Sequence, residues 1–148
     1  MLNGPLLQPD ILAALARAGH GARVLIADGN YPASTTLGPN AQLVSLNLTP
    51  GVVSATQVLT ALAGQVEFER ACVMDYARSG DYALEADPPI WAEFRSALQA
   101  AGAQLELETV ERHAFYAAAA EPDVALVIAT AETAIYANLL LTIGVRRA

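Results

Sequence analysis

The chain has 148 residues, 54% of them hydrophobic, which is the length of one ordinary domain with enough apolar side chains to fill a core. Eight Lys and Arg against fifteen Asp and Glu give a formal net charge of -7, which repels a phosphate backbone and leaves no basic stripe, so no nucleic-acid partner is expected. Cys72 is the only cysteine, which rules out an intrachain disulfide and a CxxC metal pair, and its neighbours Ala71, Val73 and Met74 point to a buried, inert thiol.

The first residues carry no basic segment leading into an apolar core, and no apolar run approaches the ~20 residues that span a bilayer. A cytoplasmic protein without a membrane partner is expected. The mean hydropathy of +0.35 is high for so small a chain, and burial of apolar surface between subunits accounts for it.

In chain order, Pro9 and Asp10 open a helix on which Ile11, Leu12, Leu15 and Ala16 recur at helical spacing until Gly19 breaks the pattern. "RVLIAD", residues 23–28, is a continuous apolar run bounded by glycines and reads as a buried strand. "AQLVSLNL", 41–48, is a second strand. "TPGVVSATQVLTALAG" opens with turn and cap residues and places Val53, Val58, Leu59 and Leu62 on one helical stripe. "RACVMDYA" is the next strand. "RSGDYALEADPP", 78–89, is polar and turn-rich, a surface loop that can lie near a site, and its prolines start the helix "IWAEFRSALQAAG". "AQLELETV" alternates like a half-exposed strand, "HAFYAAAAE" is a short helix, and "DVALVIAT" and "NLLLTIGV" are the last two strands. Strands interleaved with helices predict one α/β domain over residues 1–148, with a mostly buried, at least partly parallel sheet.

Chemistry on such sheets gathers at strand ends, where loops present side chains over a rigid platform. Three strand ends carry suitable residues: His20 with Asp28 and Asn30; Arg112, His113 and Tyr116; and Thr130, Glu132, Tyr136 and Asn138. The two histidines form no HxH or HxxxH pair, so no metal site is expected. The glycines of "GHGARVLIADG" precede the strand instead of joining it to a helix, which is the wrong context for dinucleotide binding, and no GxSxG nucleophile elbow occurs. His, Asp, Tyr, Arg and Asn bind hydroxyl-rich ligands, and histidine's ordinary pKa near ~6.5 suits proton transfer at neutral pH. The pattern points to a sugar.

"GHG…VLIADGNYPA", "ERHAFY" and "IYANLLLTIGV" together resemble segments of the ribose pyranase and fucose mutarotase family of small sugar-anomer isomerases. The resemblance runs from "LLQPDILAALARAGHG" to "NLLLTIGV", nearly the whole chain. It implies a three-layer α/β/α sandwich with a mixed sheet, a ring-shaped homo-oligomer (pentamer or decamer), and no metal or organic cofactor. Carried over, the family's proton-donor histidine falls on His20, its ligand-binding aspartate on Asp28 beside Asn30, its further ligand contact on Arg112, and its Tyr-(Gly/Ala)-Asn element on Tyr136 and Asn138. "RHAFY" is similar to the fucose branch, so the resemblance implies interconversion of the α and β anomers of L-fucose or a related monosaccharide, with pyranose–furanose exchange an open point. His113, "TAE" at 130–132 in place of the family's "TGE", Asn30–Tyr31 and the loop 75–89 depart from the family pattern.

In the implied chemistry the sugar ring opens to the aldehyde and closes on the other carbonyl face. His20 protonates the ring oxygen, Asp28 orients a hydroxyl or holds the His20 tautomer, Tyr136 and Asn138 fix further hydroxyls, and Arg112 holds the sugar without moving protons. Five strand residues separate His20 from Asp28 at ~3.3 Å each, so the two meet only if the loop folds back or a neighbouring subunit supplies one of them. Plainer readings stand beside these: His20 as a helix C-terminal cap, Asp28 as a turn starter, Arg112 as a partner of Glu108 or Glu111, and Tyr76, Trp91, His113 and Tyr116 as core or interface aromatics. At the level of function the alternatives are a sugar or small-polyol binding protein without turnover, and an assembly-only protein.

Overall fold

The structure, a computed structural model, describes residues 1–147. Ten elements follow one another: α1 (Pro9–Arg17), β1 (Arg23–Ala27), β2 (Gln42–Ser45), α2 (Ala55–Ala63), β3 (Phe68–Met74), α3 (Pro89–Ala100), β4 (Leu107–Val110), α4 (Arg112–Ala119), β5 (Val124–Ala129) and β6 (Leu139–Ile143). The strands form one six-stranded sheet in the order β2-β5-β1-β6-β3-β4. β6 runs antiparallel to β1 and β3, while β1, β2 and β5 are mutually parallel and β3 is parallel to β4. The carboxyl ends of five strands therefore share one edge of the sheet with the start of β6.

The apolar run of β1 exists because both its faces are covered. Val24 and Ile26 point to a core built with α1, α2 and α3, and Leu25 and Ala27 point to a second core with Phe115 and Ala119 of α4. On α3, Trp91, Phe94 and Leu98 follow one another at helical spacing and are fully buried. The expected α/β/α sandwich with a mixed sheet is what forms.

Local sequence explains the element ends. In α1 the Gln8 side chain accepts the Ile11 N–H at 2.7 Å and Pro9 takes the first helical position, where its missing N–H does no harm. Ser54 and Gln57 form a reciprocal capping box, so α2 begins at Ala55 and Val53 lies outside the helix in which its spacing had placed it. After α3 the Ala103 N–H reaches back to the Leu98 carbonyl at 3.0 Å while Gly102 adopts φ 84°, a helix stop that demands glycine. The chain leaves that turn as irregular structure over 103–106, and β4 pairs with β3 only from Leu107, shorter than the expected strand over 103–110. β2 likewise stops at Ser45 instead of 48, because β5, its one neighbour, ends its strand opposite Ser45.

The short α4 covers only part of its face. On that face of β3 and β4 the Arg70–Glu108 ion pair and Cys72 remain accessible, so Cys72 is half-buried instead of fully enclosed. Its thiol is still pushed up from the ordinary range, first by burial and then by the Glu108 carboxylate. Among the described residues no helix is long and apolar enough to cross a membrane.

Candidate functional site

A cavity of about 320 Å³ opens at the shared strand edge. That is small for a ligand pocket and suits a compact, monosaccharide-sized molecule. Asp28, immediately after β1, and Asn138, immediately before β6, contribute to its lining, with Met74 from the end of β3. Arg112 and Tyr116, one turn apart on α4, form one wall with Tyr31, whose ring stacks on Tyr116 at 5.3 Å between centroids. Asn30, Tyr136, Ile135 and Tyr82 complete the lining.

Asp28 is 4% exposed and Asn138 5%. Their partnership is reciprocal: the Asn138 Nδ2 donates to Asp28 Oδ2 and the Asn138 Oδ1 accepts the Asp28 N–H, each at 2.9 Å. Oδ2 also accepts the Ala137 N–H at 3.3 Å, and Oδ1 accepts the Asn30 N–H at 2.9 Å. A carboxylate offers about four acceptor positions, and these bonds fill most of them. Burial pushes the Asp28 carboxyl above its ordinary range against the pull of those hydrogen bonds. Asp28 starts a turn through Asn30, as the plain reading expects, and lines the cavity as well.

Five of the six residues singled out from sequence, Asp28, Asn30, Arg112, Tyr136 and Asn138, meet in this cavity. Two do so in an unexpected way. The Asn138 amide is engaged mainly with Asp28, and the Tyr136 hydroxyl is held by the loop after β3, donating to the Tyr82 carbonyl at 2.9 Å and accepting the Ala77 N–H at 3.1 Å. Tyr136 takes φ 57°, a left-handed conformation that costs a non-glycine residue roughly 1–2 kcal/mol. It is kept there by the Trp91 indole N–H on its carbonyl at 2.9 Å and by Asp28 on the following N–H. Arg112 is not the partner of Glu108 or Glu111. Glu108 pairs with Arg70, and Glu111 caps α4 by accepting the His113 and Ala114 N–H groups. The Arg112 guanidinium stands 5.9 Å from the Tyr116 ring centre.

His20 lies elsewhere. It sits in the turn before β1, at the opposite edge of the sheet, where the Gly21 N–H meets the carbonyl of Ile143 at the far end of β6. The length of β1, roughly 13 Å at ~3.3 Å per step, separates the two edges. His20 Nε2 lies 3.0 Å from both carboxylate oxygens of Glu69, and both side chains are accessible, at 57% and 43%. α1 has already ended at Arg17, so His20 does not cap it.

Sequence reasoning set Tyr116 aside as a packing aromatic and did not weigh Tyr31, Tyr82 or Met74 as lining. The i, i+4 spacing of Arg112 and Tyr116 on α4 is the signal that links Tyr116 to the site. For Tyr82 the one pointer was a turn-rich loop beside a strand end.

The profile described as the RbsD / FucU transport protein family matches residues 1–146. The chain belongs to the RbsD/FucU family. Human "Fucose mutarotase" is 39% identical over 142 residues, covering 95% of this chain and 90% of that protein. The solved FucU of Bifidobacterium longum is 32% identical, covers 94% of each chain and superposes with a TM-score of 0.76. The fucose mutarotase of Streptococcus pneumoniae, solved in complex with L-fucose, reaches a TM-score of 0.83 over 99% of this chain and 100% of its own at 24% identity, a likeness of fold. In this RbsD/FucU chain the segments matched include every residue that lines the cavity.

Proposed function

We propose that the protein is a monosaccharide mutarotase acting on the anomers of L-fucose or a closely related sugar, in a site completed by His20 of the partner subunit. The observation that carries this reading is Asp28: a buried carboxyl that lines a cavity of monosaccharide size and is raised above its ordinary range by burial. The relatives named as fucose mutarotases support the choice of reaction and sugar.

Ring opening needs a base on the anomeric hydroxyl and an acid on the ring oxygen. Asp28 takes the hydroxyl proton, the O1 electrons form the carbonyl as the bond from C1 to the ring oxygen breaks, and the ring oxygen takes a proton from the histidine. Rotation about C1–C2 and the reverse steps on the other face give the second anomer and restore both groups. Arg112 holds sugar hydroxyls as a fixed cation. No step calls for a cofactor or metal.

A single chain holds Asp28 and His20 on opposite sheet edges, which is the support for a site shared between subunits of a ring-shaped homo-oligomer, pentamer or decamer. Glu69 gives His20 a defined partner on Nε2 and leaves Nδ1 for the substrate. A sugar binder without turnover has no use for this carboxylate–histidine pair. A cytoplasmic location fits a reaction on free monosaccharides.

Exchange NMR of the anomeric protons with L-fucose, D-ribose, D-galactose and L-rhamnose tests the reading. Protein-dependent exchange between α and β signals that disappears in His20→Gln is expected. Saturation transfer without accelerated exchange reduces the protein to a binder, and silence with every sugar refutes both.

A further inference from the structure

The loop between β3 and α3 is the part of the site that family resemblance leaves without a role. Its tip closes on itself, with the Leu84 N–H on the Ala77 carbonyl at 2.9 Å, the Ala83 N–H on the Gly80 carbonyl at 3.2 Å, and Gly80 at φ 88°. Arg78 folds back onto Asp75 at 3.0 Å and lies 4.5 Å over the Tyr76 ring. None of residues 77–87 belongs to either core. Among the described residues, and apart from the Arg78 bonds to the adjoining Asp75 and Tyr76, the hydrogen bonds from residues 77–87 to the rest of the protein go to one atom, the Tyr136 hydroxyl, and an Asp87–Arg95 ion pair at 3.5 Å ties the far end of the loop to α3.

That atom is placed by the strained residue of the site. The left-handed turn at Tyr136, fixed by Trp91 and Asp28, aims its ring along the cavity and its hydroxyl at the loop. The loop in turn presents Tyr82, which lines the cavity while remaining 70% exposed. A large aromatic ring at a cavity mouth, packed against no core, has no structural task to account for it.

Resting on the mutarotase reading, we propose that Tyr82 is a substrate-contacting residue that selects the sugar, and that the Tyr136 hydroxyl acts as a positioning group that holds Tyr82 in place. A tyrosine face attracts C–H groups and offers nothing to a hydroxyl, which loses hydration there without a new partner. The ring favours a sugar that turns a C–H-rich face or a methyl group to the cavity mouth over one that turns a hydroxymethyl group there. L-Fucose and L-galactose differ only in that hydroxyl, at C6, and are the probes.

Exchange NMR at several sugar concentrations gives KM and kcat for the native protein and for Tyr82→Ala, Tyr82→Phe, Tyr136→Phe and the double variant Tyr82→Ala/Tyr136→Phe. Tyr82→Ala raises KM for L-fucose about tenfold with kcat within about twofold, the pattern of lost uniform binding, and narrows the preference over L-galactose. Tyr82→Phe retains the native values. Tyr136→Phe raises KM as Tyr82→Ala does, and in the double variant adds nothing, because its effect passes through Tyr82. Unchanged KM and preference in Tyr82→Ala overturn the contact, and additive effects overturn the positioning role. Native protein that exchanges neither sugar refutes the mutarotase reading itself, a different outcome from active protein indifferent to Tyr82.

Discussion

Replacing Asn138 by aspartate puts a second carboxylate against the one at the end of the cavity. The Asn138 Nδ2 lies 2.9 Å from Asp28 Oδ2, and both residues are almost wholly buried, so the new oxygen faces the old at that distance. Two full charges at ~3 Å repel by about 6 kcal/mol at an effective dielectric of ~20, and the folded pair avoids this by sharing one proton. The unfolded chain, with both carboxyls near ~3.9, has lost that proton above about pH 5. The folded state thus binds one proton more, and its stability falls as pH rises, by about 1.4 kcal/mol per unit. Between pH 5.0 and 7.5 Asn138→Asp loses about 3.4 kcal/mol beyond whatever the native protein loses over the same range. Urea unfolding at both pH values and one fixed protomer concentration reads the difference. A gap between variant and native protein that is the same at both pH values refutes the reciprocal Asp28–Asn138 pairing.

Four further outcomes follow from the same geometry. Asp28→Asn lowers anomer exchange by about 10²- to 10⁴-fold, the ordinary worth of a positioned proton-transfer group, as read by exchange NMR. Because burial raises the Asp28 carboxyl, the native protein loses its base form as pH falls, and the acid limb of its pH–rate profile lies above the ordinary carboxylate range; a limb at or below that range contradicts the role. Glu69→Gln slows exchange while saturation transfer to the sugar is retained, since Glu69 touches His20 and not the cavity; equal rates in variant and native protein argue against a positioning role. Trp91→Phe removes the donor to the Tyr136 carbonyl inside the core and destabilises the protein by about 1–3 kcal/mol in urea unfolding, with a rise in KM as Tyr136 shifts.

How much was legible from the sequence depended on how far apart the interacting residues lie along it. Helices α1, α3 and α4 and strands β1, β5 and β6 are long apolar or strongly periodic runs, and each forms where its pattern places it. The edge strands β2 and β4 were overextended, because β2 ends where its one neighbour stops and β4 begins only after the turn that closes α3, limits that local pattern does not encode. The strand order was likewise beyond reach: Asp28 and Asn138 are 110 residues apart in the chain yet share two hydrogen bonds. Their residue types and positions at strand ends flagged them, with the resemblance to sugar isomerases, but only the antiparallel insertion of β6 beside β1 brings them together. The His20–Glu69 pair spans 49 residues and joins the turn before β1 to the start of β3, so Glu69 read as one more surface carboxylate. Tyr82 went unassigned because its loop is held by side-chain contacts, among them a hydroxyl from a residue 54 positions away, and has no periodicity to betray it.

The site shared between subunits is tested most directly by co-expressing His20→Gln and Asp28→Asn chains and measuring anomer exchange of L-fucose by the mixed assemblies. Each variant alone has no complete site. If His20 acts on the neighbouring cavity, random mixing in equal amounts gives about one site in four with both native groups, and exchange returns to about a quarter of the native rate. Mixed assemblies as inactive as their parents contradict a site built from two chains.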